Sequence, residues 1–252
     1  MNMIKQALLG TALTIASTGA FASFINVGGV VWNPEAGVDF RATGELFESF
    51  AQQNGDTITG FGKILTFNNQ NQSVFCPNCE LTFAFSYTLA SSTTSNGVDY
   101  GFRFNNGSVN FYVDTAKNYG LLDINGDPIV SSFTYANATD GTLFLSTANN
   151  GDLIGTATNL FDVSLINGTG TGFLDVIGGI AAGNFNTNGL NNGADLKFQS
   201  SFGTVEGSFS PTDFPVAGSA TVFGNSIPEP ASLALIGAGL LGMSRISRRK
   251  TA

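Results

Sequence analysis

Residues 81–89 read LTFAFSYTL, and this stretch decides the fold class. Large apolar side chains occupy every second position, and small or hydroxyl-bearing side chains occupy the positions between them. Successive side chains of a β-strand point to opposite faces, so this alternation predicts a strand with one buried face. The same pattern returns at residues 98–104, 109–113, 161–165 and 196–198.

Turn dipeptides separate these runs. Asn-Gly occurs eight times and Asp-Gly once, and both tolerate the positive φ that a tight β-hairpin turn needs. Asn106-Gly107, between residues 98–104 and 109–113, predicts one such hairpin. Residues 41–53 stay open between a short helix and a strand followed by a loop. Many short antiparallel strands predict an all-β fold, either a β-sandwich or a jelly roll, with phenylalanines packed between two sheets.

The composition excludes several classes of function. The 252 residues include 23 phenylalanines and 32 glycines but no histidine. The chain alone therefore builds neither a Ser-His-Asp or Cys-His catalytic centre nor a His-ligated metal site. Residues 23–227 contain seventeen acidic and five basic residues, a net charge of −12. Nucleic acid is excluded as an expected partner, because phosphate binding needs a basic surface.

The first 22 residues have the features of a secretory signal peptide. Lys5 supplies the positive charge, residues 7–15 form a short apolar run, and a small-x-small cleavage pattern ends at Ala22. This pattern predicts a cut between Ala22 and Ser23. A buried helix of the folded domain is the alternative interpretation.

Residues 23–224 form the predicted β-rich exported domain. Residues 225–252 differ from it in three features of their sequence. Pro228-Glu229-Pro230 interrupts any preceding element, because proline restricts φ and lacks an N–H donor. Residues 231–243 then run without a charge and predict a short apolar helix, shorter than the roughly 20 residues that cross a bilayer comfortably. A basic cluster follows, which is expected to stay cytoplasmic: Arg245, Arg248, Arg249 and Lys250.

This C-terminus, together with a signal peptide, resembles the PEP-CTERM sorting signal of exported bacterial proteins. The resemblance implies an exosortase, a membrane cysteine protease that cuts near Pro228-Glu229-Pro230. It also implies export, transient anchoring in the inner membrane through the C-terminal helix, and delivery to the cell surface or the extracellular polysaccharide matrix. An ordinary C-terminal membrane anchor without sorting is the alternative.

The middle of the chain also resembles a recurring group of PEP-CTERM proteins. This resemblance implies an exported, mostly β protein and adds location rather than an activity. The stretches that carry it are residues 75–83, 111–114, 140–145, 174–176 with 178–179, 193–196 and 200–202.

The chain has two cysteines, Cys76 and Cys79. Export places them in an oxidising compartment, so a disulfide is predicted. The closed loop is so short that the bridge is expected to fix the entry into the next strand rather than add much stability. A redox role, which favours a CxxC at a helix start, and a metal site are the alternatives. Two cysteines without histidine do not complete a four-ligand zinc site.

Asp123, Asn125 and Asp127 place oxygen atoms at alternate positions, as in the first half of a calcium loop. Pro128 replaces the expected continuation, and no bidentate glutamate follows at the right offset. A loop with Asn-Gly turn chemistry is the alternative. Calcium is the candidate cofactor, and no other cofactor is expected.

Glu45 and Glu48 are a carboxylate pair that could serve glycoside hydrolysis, although no second acid can be matched to them from the sequence. We therefore expect a non-enzymatic exported protein, structural or matrix-associated. The alternatives are a glycan-binding β-sandwich, assisted by calcium, and an enzyme with facing carboxylates in a deep cleft.

Overall fold

The computed structural model describes residues 24–34, 39–205 and 213–227. These residues belong to one of two units of the chain, residues 24–227. The predicted signal peptide and the predicted apolar C-terminal helix lie outside the described residues.

The described residues form twelve strands and a few short helical segments. The strands are β1 (Ile25–Val27), β2 (Val30–Trp32), β3 (Arg41–Glu48), β4 (Thr57–Phe67), β5 (Gln70–Asn71), β6 (Glu80–Thr94), β7 (Asp99–Asp114), β8 (Thr142–Asn149), β9 (Leu153–Thr158), β10 (Asn167–Gly178), β11 (Leu196–Thr204) and β12 (Val216–Gly224). The α-helices are α1 (Gln72–Phe75), α2 (Tyr135–Thr139) and α3 (Ala182–Phe185), and 3₁₀ turns occupy Val130–Ser132 and Asn191–Gly193. No helix in the described part of the chain is long and apolar enough to be a candidate membrane span.

The large sheet closes on itself as an antiparallel barrel. Neighbouring strands follow chain order from β3 through β4, β6, β7, β8, β10, β11 and β12, and β12 pairs with β3. β8 and β9 share one position in the ring, because β8 pairs with residues 108–113 of β7 and β9 pairs with residues 99–104. The ring therefore has eight positions in up-and-down order.

The predicted β-sandwich or jelly roll is wrong, although the all-β, antiparallel prediction is confirmed. An alternating strand reports only that one of its faces is buried, and a closed barrel satisfies that pattern as well as two packed sheets do. The feature that distinguishes them is the pairing of residues 216–223 with residues 41–48. The sequence of neither segment contains a local pattern that predicts this pairing.

The barrel interior is filled by aromatic rings that lie over glycines of the neighbouring strand. In each pair the glycine and the aromatic residue are direct register partners, and a Cβ built on the glycine would lie within 3 Å of the ring. The pairs are Gly60 with Phe85, Gly62 with Phe83, Gly155 with Phe102, and Gly168 with Phe202. The high phenylalanine and glycine contents are therefore two parts of one packing arrangement.

The hairpin of β1 and β2 packs at one end of the barrel. Trp32, at the end of β2, is 3% exposed, and its ring stacks on Phe185 of α3 with centroids 5.3 Å apart. Phe40 packs 4.3 Å from the same Phe185 ring. This aromatic cluster joins residues near the start of the described chain to α3, about 150 positions later, in one core.

The connection between β7 and β8 covers part of the outer wall. Residues 115–141 include α2, and they pack Tyr119 and Phe133 against Phe47 and Phe61 of β3 and β4. The outward side of the first half of β6 is consequently buried as well, so burial there no longer alternates.

The predicted hairpin at Asn106-Gly107 is wrong. β7 runs without a break through both residues, and the register with β6 shifts beside them, as in a β-bulge. Asn106 has a φ of 48°, which is the backbone conformation that also suits a turn. The bulge brings Gly107 under the ring of Tyr87, where a Cβ would lie 2.0 Å from a ring carbon. The sequence did not decide between a short helix and a strand followed by a loop for residues 41–53, and in the structure residues 41–48 of this stretch form β3.

Candidate functional site

A cavity lies inside the barrel, at the end opposite the β1–β2 hairpin. Its lining is mostly apolar, and its polar members are Glu48, Tyr87, Ser49 and Ser200, of which Glu48 and Tyr87 are the more deeply buried. Glu48 is the last residue of β3 and alternates with the inward-facing Leu46, whereas Tyr87 points inward from β6. The space open to the centre of a water-sized sphere is about 40 Å³. One water needs about 10–15 Å³ by that measure, so the cavity suits a few waters.

Glu48 and Tyr87 are both deeply buried. Burial removes water from the Glu48 carboxylate and raises the pKa of this group to about 8. The acid is therefore mostly neutral at pH 7. Tyr87 is 2% exposed, and its hydroxyl has no hydrogen-bond partner among the described residues. Burial raises the pKa of this hydroxyl above its usual range. Both groups can hydrogen-bond a water molecule in the cavity, which would offset part of their desolvation cost.

Glu45 and Glu48 do not form the carboxylate pair considered above. They lie on opposite faces of β3, because an odd separation along a strand reverses the side-chain direction. Glu48 faces the cavity, and Glu45 faces outward towards Lys63. Burial raises the pKa of Glu45, and the nearby Lys63 charge partly counteracts that rise. The two-carboxylate geometry of glycoside hydrolysis is absent at this pair.

The two cysteines lie where the predicted disulfide requires. The Cα atoms of Cys76 and Cys79 are 5.0 Å apart, and their sulfur atoms are within bonding distance. Both residues are 1% exposed, and they follow the C-terminal end of α1 rather than a helix start. A helix N-terminus that would activate a thiol is therefore missing from this position, which disfavours the redox alternative.

The residues of the suspected calcium loop form a turn of their own. One carboxylate oxygen of Asp123 accepts hydrogen bonds from the backbone N–H groups of Asn125 and Asp127, at 2.8 and 2.9 Å. These bonds lower the pKa of Asp123. The described residues contain no group of three or more His, Cys, Asp or Glu side chains that could hold a metal ion. The Asn-Gly turn interpretation describes this loop, and calcium binding stays a prediction.

The chain is hydrogen-bonded to the barrel end immediately before the Pro-Glu-Pro box. The backbone N–H and the hydroxyl of Ser226 donate to the two carboxylate oxygens of Asp39, both at 2.7 Å, and Trp32 Nε1 donates to the same hydroxyl at 3.0 Å. Ile227 donates from its N–H to the Asn184 carbonyl at 2.8 Å, and its own carbonyl accepts from Asn184 Nδ2 at 3.1 Å. We call these three partners, Trp32, Asp39 and Asn184, the Ser226 clamp.

The predicted sorting and cleavage residues lie outside the described residues. They are Ala22, Ser23, Pro228, Glu229, Pro230, Arg245, Arg248, Arg249 and Lys250. The Ser226 clamp was not predicted from the sequence, because Ser226 and its partner Trp32 are 194 positions apart. The cavity was missed for the same reason. Glu48, a glutamate at an inward position of an alternating strand, could have indicated a polar group inside the fold.

Comparison with known families identifies the C-terminal segment. Residues 226–250 match the model of the PEP-CTERM protein-sorting motif, which confirms the resemblance inferred from the Pro-Glu-Pro box, apolar run and basic end. The match supports recognition by an exosortase and export with transient membrane sorting towards the cell surface. No curated protein and no solved structure matches the chain.

Proposed function

We propose that this chain is a non-enzymatic exported protein, delivered by an exosortase to the cell surface or the extracellular polysaccharide matrix, where it has a structural role. The observation that carries the proposal is the sorting motif at residues 226–250, which begins two residues after the end of β12. The sorting segment thus follows directly on a closed barrel, as expected of a folded cargo with a removable tail.

The described residues support a non-enzymatic role in two ways. Glu45 and Glu48 are on opposite sides of the barrel wall, so they cannot act together on one substrate bond. The cavity that Glu48 faces has room for water rather than for a sugar or peptide. We propose that the barrel needs no cofactor for this role.

Fractionation of three versions of the chain tests the sorting proposal. We expect the parent at the cell surface or in the matrix without its tail, and a version lacking residues 228–252 in other fractions. The matched control, Pro228→Ala with Pro230→Ala, keeps the apolar run and the basic cluster. It should stay membrane-held and uncleaved. Equal surface amounts of all three versions would contradict sorting, and parent protein that keeps its tail in the membrane would favour the ordinary anchor.

A second candidate function, glycan binding, is favoured by the outer wall formed by β9 to β12. Its fully exposed side chains are uncharged and rich in hydroxyl groups, in a domain with a net charge of −12, and the charged residues of this wall, Asp175 and Lys197, are half-buried. Two shallow grooves run along it. The main hydroxyl-bearing residues are Thr156, Thr158, Thr169, Thr171, Ser201, Ser219 and Thr221. A neutral polysaccharide would find hydrogen-bonding groups here that cost less to desolvate than charged side chains do.

Glycan-array binding, with and without calcium, tests this candidate. The double variant Thr169→Glu with Ser201→Glu places charges at two cross-strand neighbours of the wall, and it should reduce binding of a neutral glycan at least tenfold. Thr57→Glu, an exposed threonine outside the wall, is the control. Binding that is equal in both variants would place the glycan elsewhere, and no binding by the parent would reject the candidate.

A further inference from the structure

We infer that the Ser226 clamp sets the N-terminal limit of the sorting cut, so that the exosortase cleaves only after Ile227. Trp32, Asp39 and Asn184 are then positioning residues for cleavage. This inference rests on the proposed function, since it concerns the same cut.

The first step of the argument is how firmly the chain is held up to Ile227. The Gly224 N–H donates to the Phe40 carbonyl at 3.0 Å. The next hydrogen bonds along the chain are those that hold Ser226 and Ile227. Ser226 is only 9% exposed, and the Trp32 indole that binds it is 3% exposed. The Ser226 bonds are therefore buried or part-buried, whereas Ile227, at the end of the held segment, is 42% exposed. Opening the segment exchanges these bonds for bonds to water, and each exchange has a net cost in free energy.

The second step is what a protease needs. Cleavage of a folded chain requires the local segment to open, and its rate follows the population of the opened form when closing is fast. The peptide bonds between residues 224 and 227 open only when the clamp breaks. The motif match begins at Ser226, so two of its residues, Ser226 and Ile227, are held in the folded domain.

The third step is which residues form the clamp. Trp32 comes from the β1–β2 hairpin, Asp39 precedes β3, and Asn184 lies on α3. The clamp therefore assembles only when the first strands and the last strand have met. A barrel that has not closed exposes residues 224–227, and a closed barrel protects them.

The cut itself breaks one peptide bond. The acyl group at the end of the barrel is transferred to water, which gives a free carboxylate, or to another nucleophile, which stays attached. The tail fragment leaves with a free amine. The intact mass of the mature protein distinguishes these two ends and locates the cut to one residue.

The test measures the C-terminal residue of the mature protein, made from the full chain in a host that carries the exosortase. We expect the parent to give ends at Ile227 or later. Ser226→Ala removes the hydroxyl that joins Asp39 to Trp32, and Asn184→Ala removes the Nδ2 donor to Ile227. Each lost hydrogen bond raises the opened fraction about fivefold. Ser226→Ala should therefore give at least about tenfold more product that ends before Ile227.

Ser164→Ala is the matched control, because the hydroxyl of this exposed serine also donates to an aspartate, Asp162, at 2.6 Å, in the connection between β9 and β10. It should behave like the parent. Asn184→Ala leaves the Ser226 bonds intact, so it tests the clamp even if Ser226→Ala does not fold. A parent end before Ile227, or unchanged ends in Ser226→Ala and Asn184→Ala, would overturn the inference while leaving sorting intact. A parent that is never cleaved would overturn the proposed function as well.

Discussion

At the scale of single residues, Glu48 makes the stability of the barrel depend on pH. Its pKa rises from 4.5 to about 8 on burial, so between these values the folded protein keeps a proton that the unfolded chain releases. The contribution of Glu48 to stability is complete below pH 4.5 and is lost as pH rises to about 8. The slope is about 1.4 kcal/mol per pH unit within that window. We expect Glu48→Gln to remove most of this slope and to be more stable than the parent at pH 8.

Urea unfolding at pH 5, 6.5 and 8 measures that slope. Glu45→Gln is the control, because its carboxyl is less deeply buried and faces away from the cavity. It should keep the slope due to Glu48. A Glu48→Gln protein whose stability falls with pH as steeply as the parent's would show that another group carries the dependence.

A second prediction at this scale concerns Cys76 and Cys79. We expect no free thiols in denatured, secreted protein purified without reductant, because export is oxidising and the sulfur atoms lie within bonding distance. Cys79→Ser should cost about 1 kcal/mol or less, since the closed loop is so short. Two free thiols per chain would contradict the pairing, and a much larger cost would mean that the bridge does more than hold the entry to β6.

At the scale of elements, a buried ion pair holds the β7–β8 connection on the barrel wall. Lys63 Nζ donates to Glu80 Oε2 at 2.9 Å and to the Tyr119 carbonyl at 3.2 Å, and Glu80 Oε1 accepts from the Tyr119 N–H at 2.9 Å. The Glu80 side chain is fully buried. Lys63→Met leaves that charge without its partner, so we expect it to destabilise the protein by about 3–5 kcal/mol.

A double-mutant cycle with Glu80→Gln checks this prediction by urea unfolding. The glutamine keeps an oxygen for the Tyr119 N–H and carries no charge. The double variant should therefore recover much of the loss, with a coupling of about 1–3 kcal/mol. Additive effects of the two substitutions would mean that the ion pair does not hold the connection, which would then rest on its aromatic contacts and on the Thr82–Ala138 hydrogen bond.

At the scale of the whole molecule, stability rests on phenylalanine rings packed over inward glycines. A Cβ at Gly62 would lie 1.9 Å from the Glu45 carbonyl oxygen and 2.7 Å from the Phe83 ring. Gly62→Ala should thus destabilise the barrel by about 1–3 kcal/mol or more, because two strands must separate to admit one methyl group. Gly183→Ala, at a site with no atom within 4 Å of the new Cβ, should be nearly neutral. Thermal unfolding of both variants decides this, and equal melting temperatures would contradict the packing model.

Most features that depend on a few neighbouring residues could be predicted from the sequence, although the strand predicted at residues 161–165 is wrong, since these residues form turns between β9 and β10. The alternation at residues 81–89 located the inner face of β6, on which Phe83, Phe85 and Tyr87 indeed point inward. The sorting motif could also be identified, because it is one short continuous segment, residues 226–250. In both cases the information lies within one stretch of chain.

Only the tertiary structure decided how the strands close and what meets inside them. Asn106-Gly107 has the backbone preference of a turn, yet β6 pairs on both sides of it, so the chain continues as a bulge. The barrel instead of a sandwich follows from the pairing of β12 with β3. The burial of Glu48 and the clamp on Ser226 likewise depend on residues far apart in the chain. Alternation and turn preference report the local backbone, whereas register and closure are set by the combined packing of all eight positions.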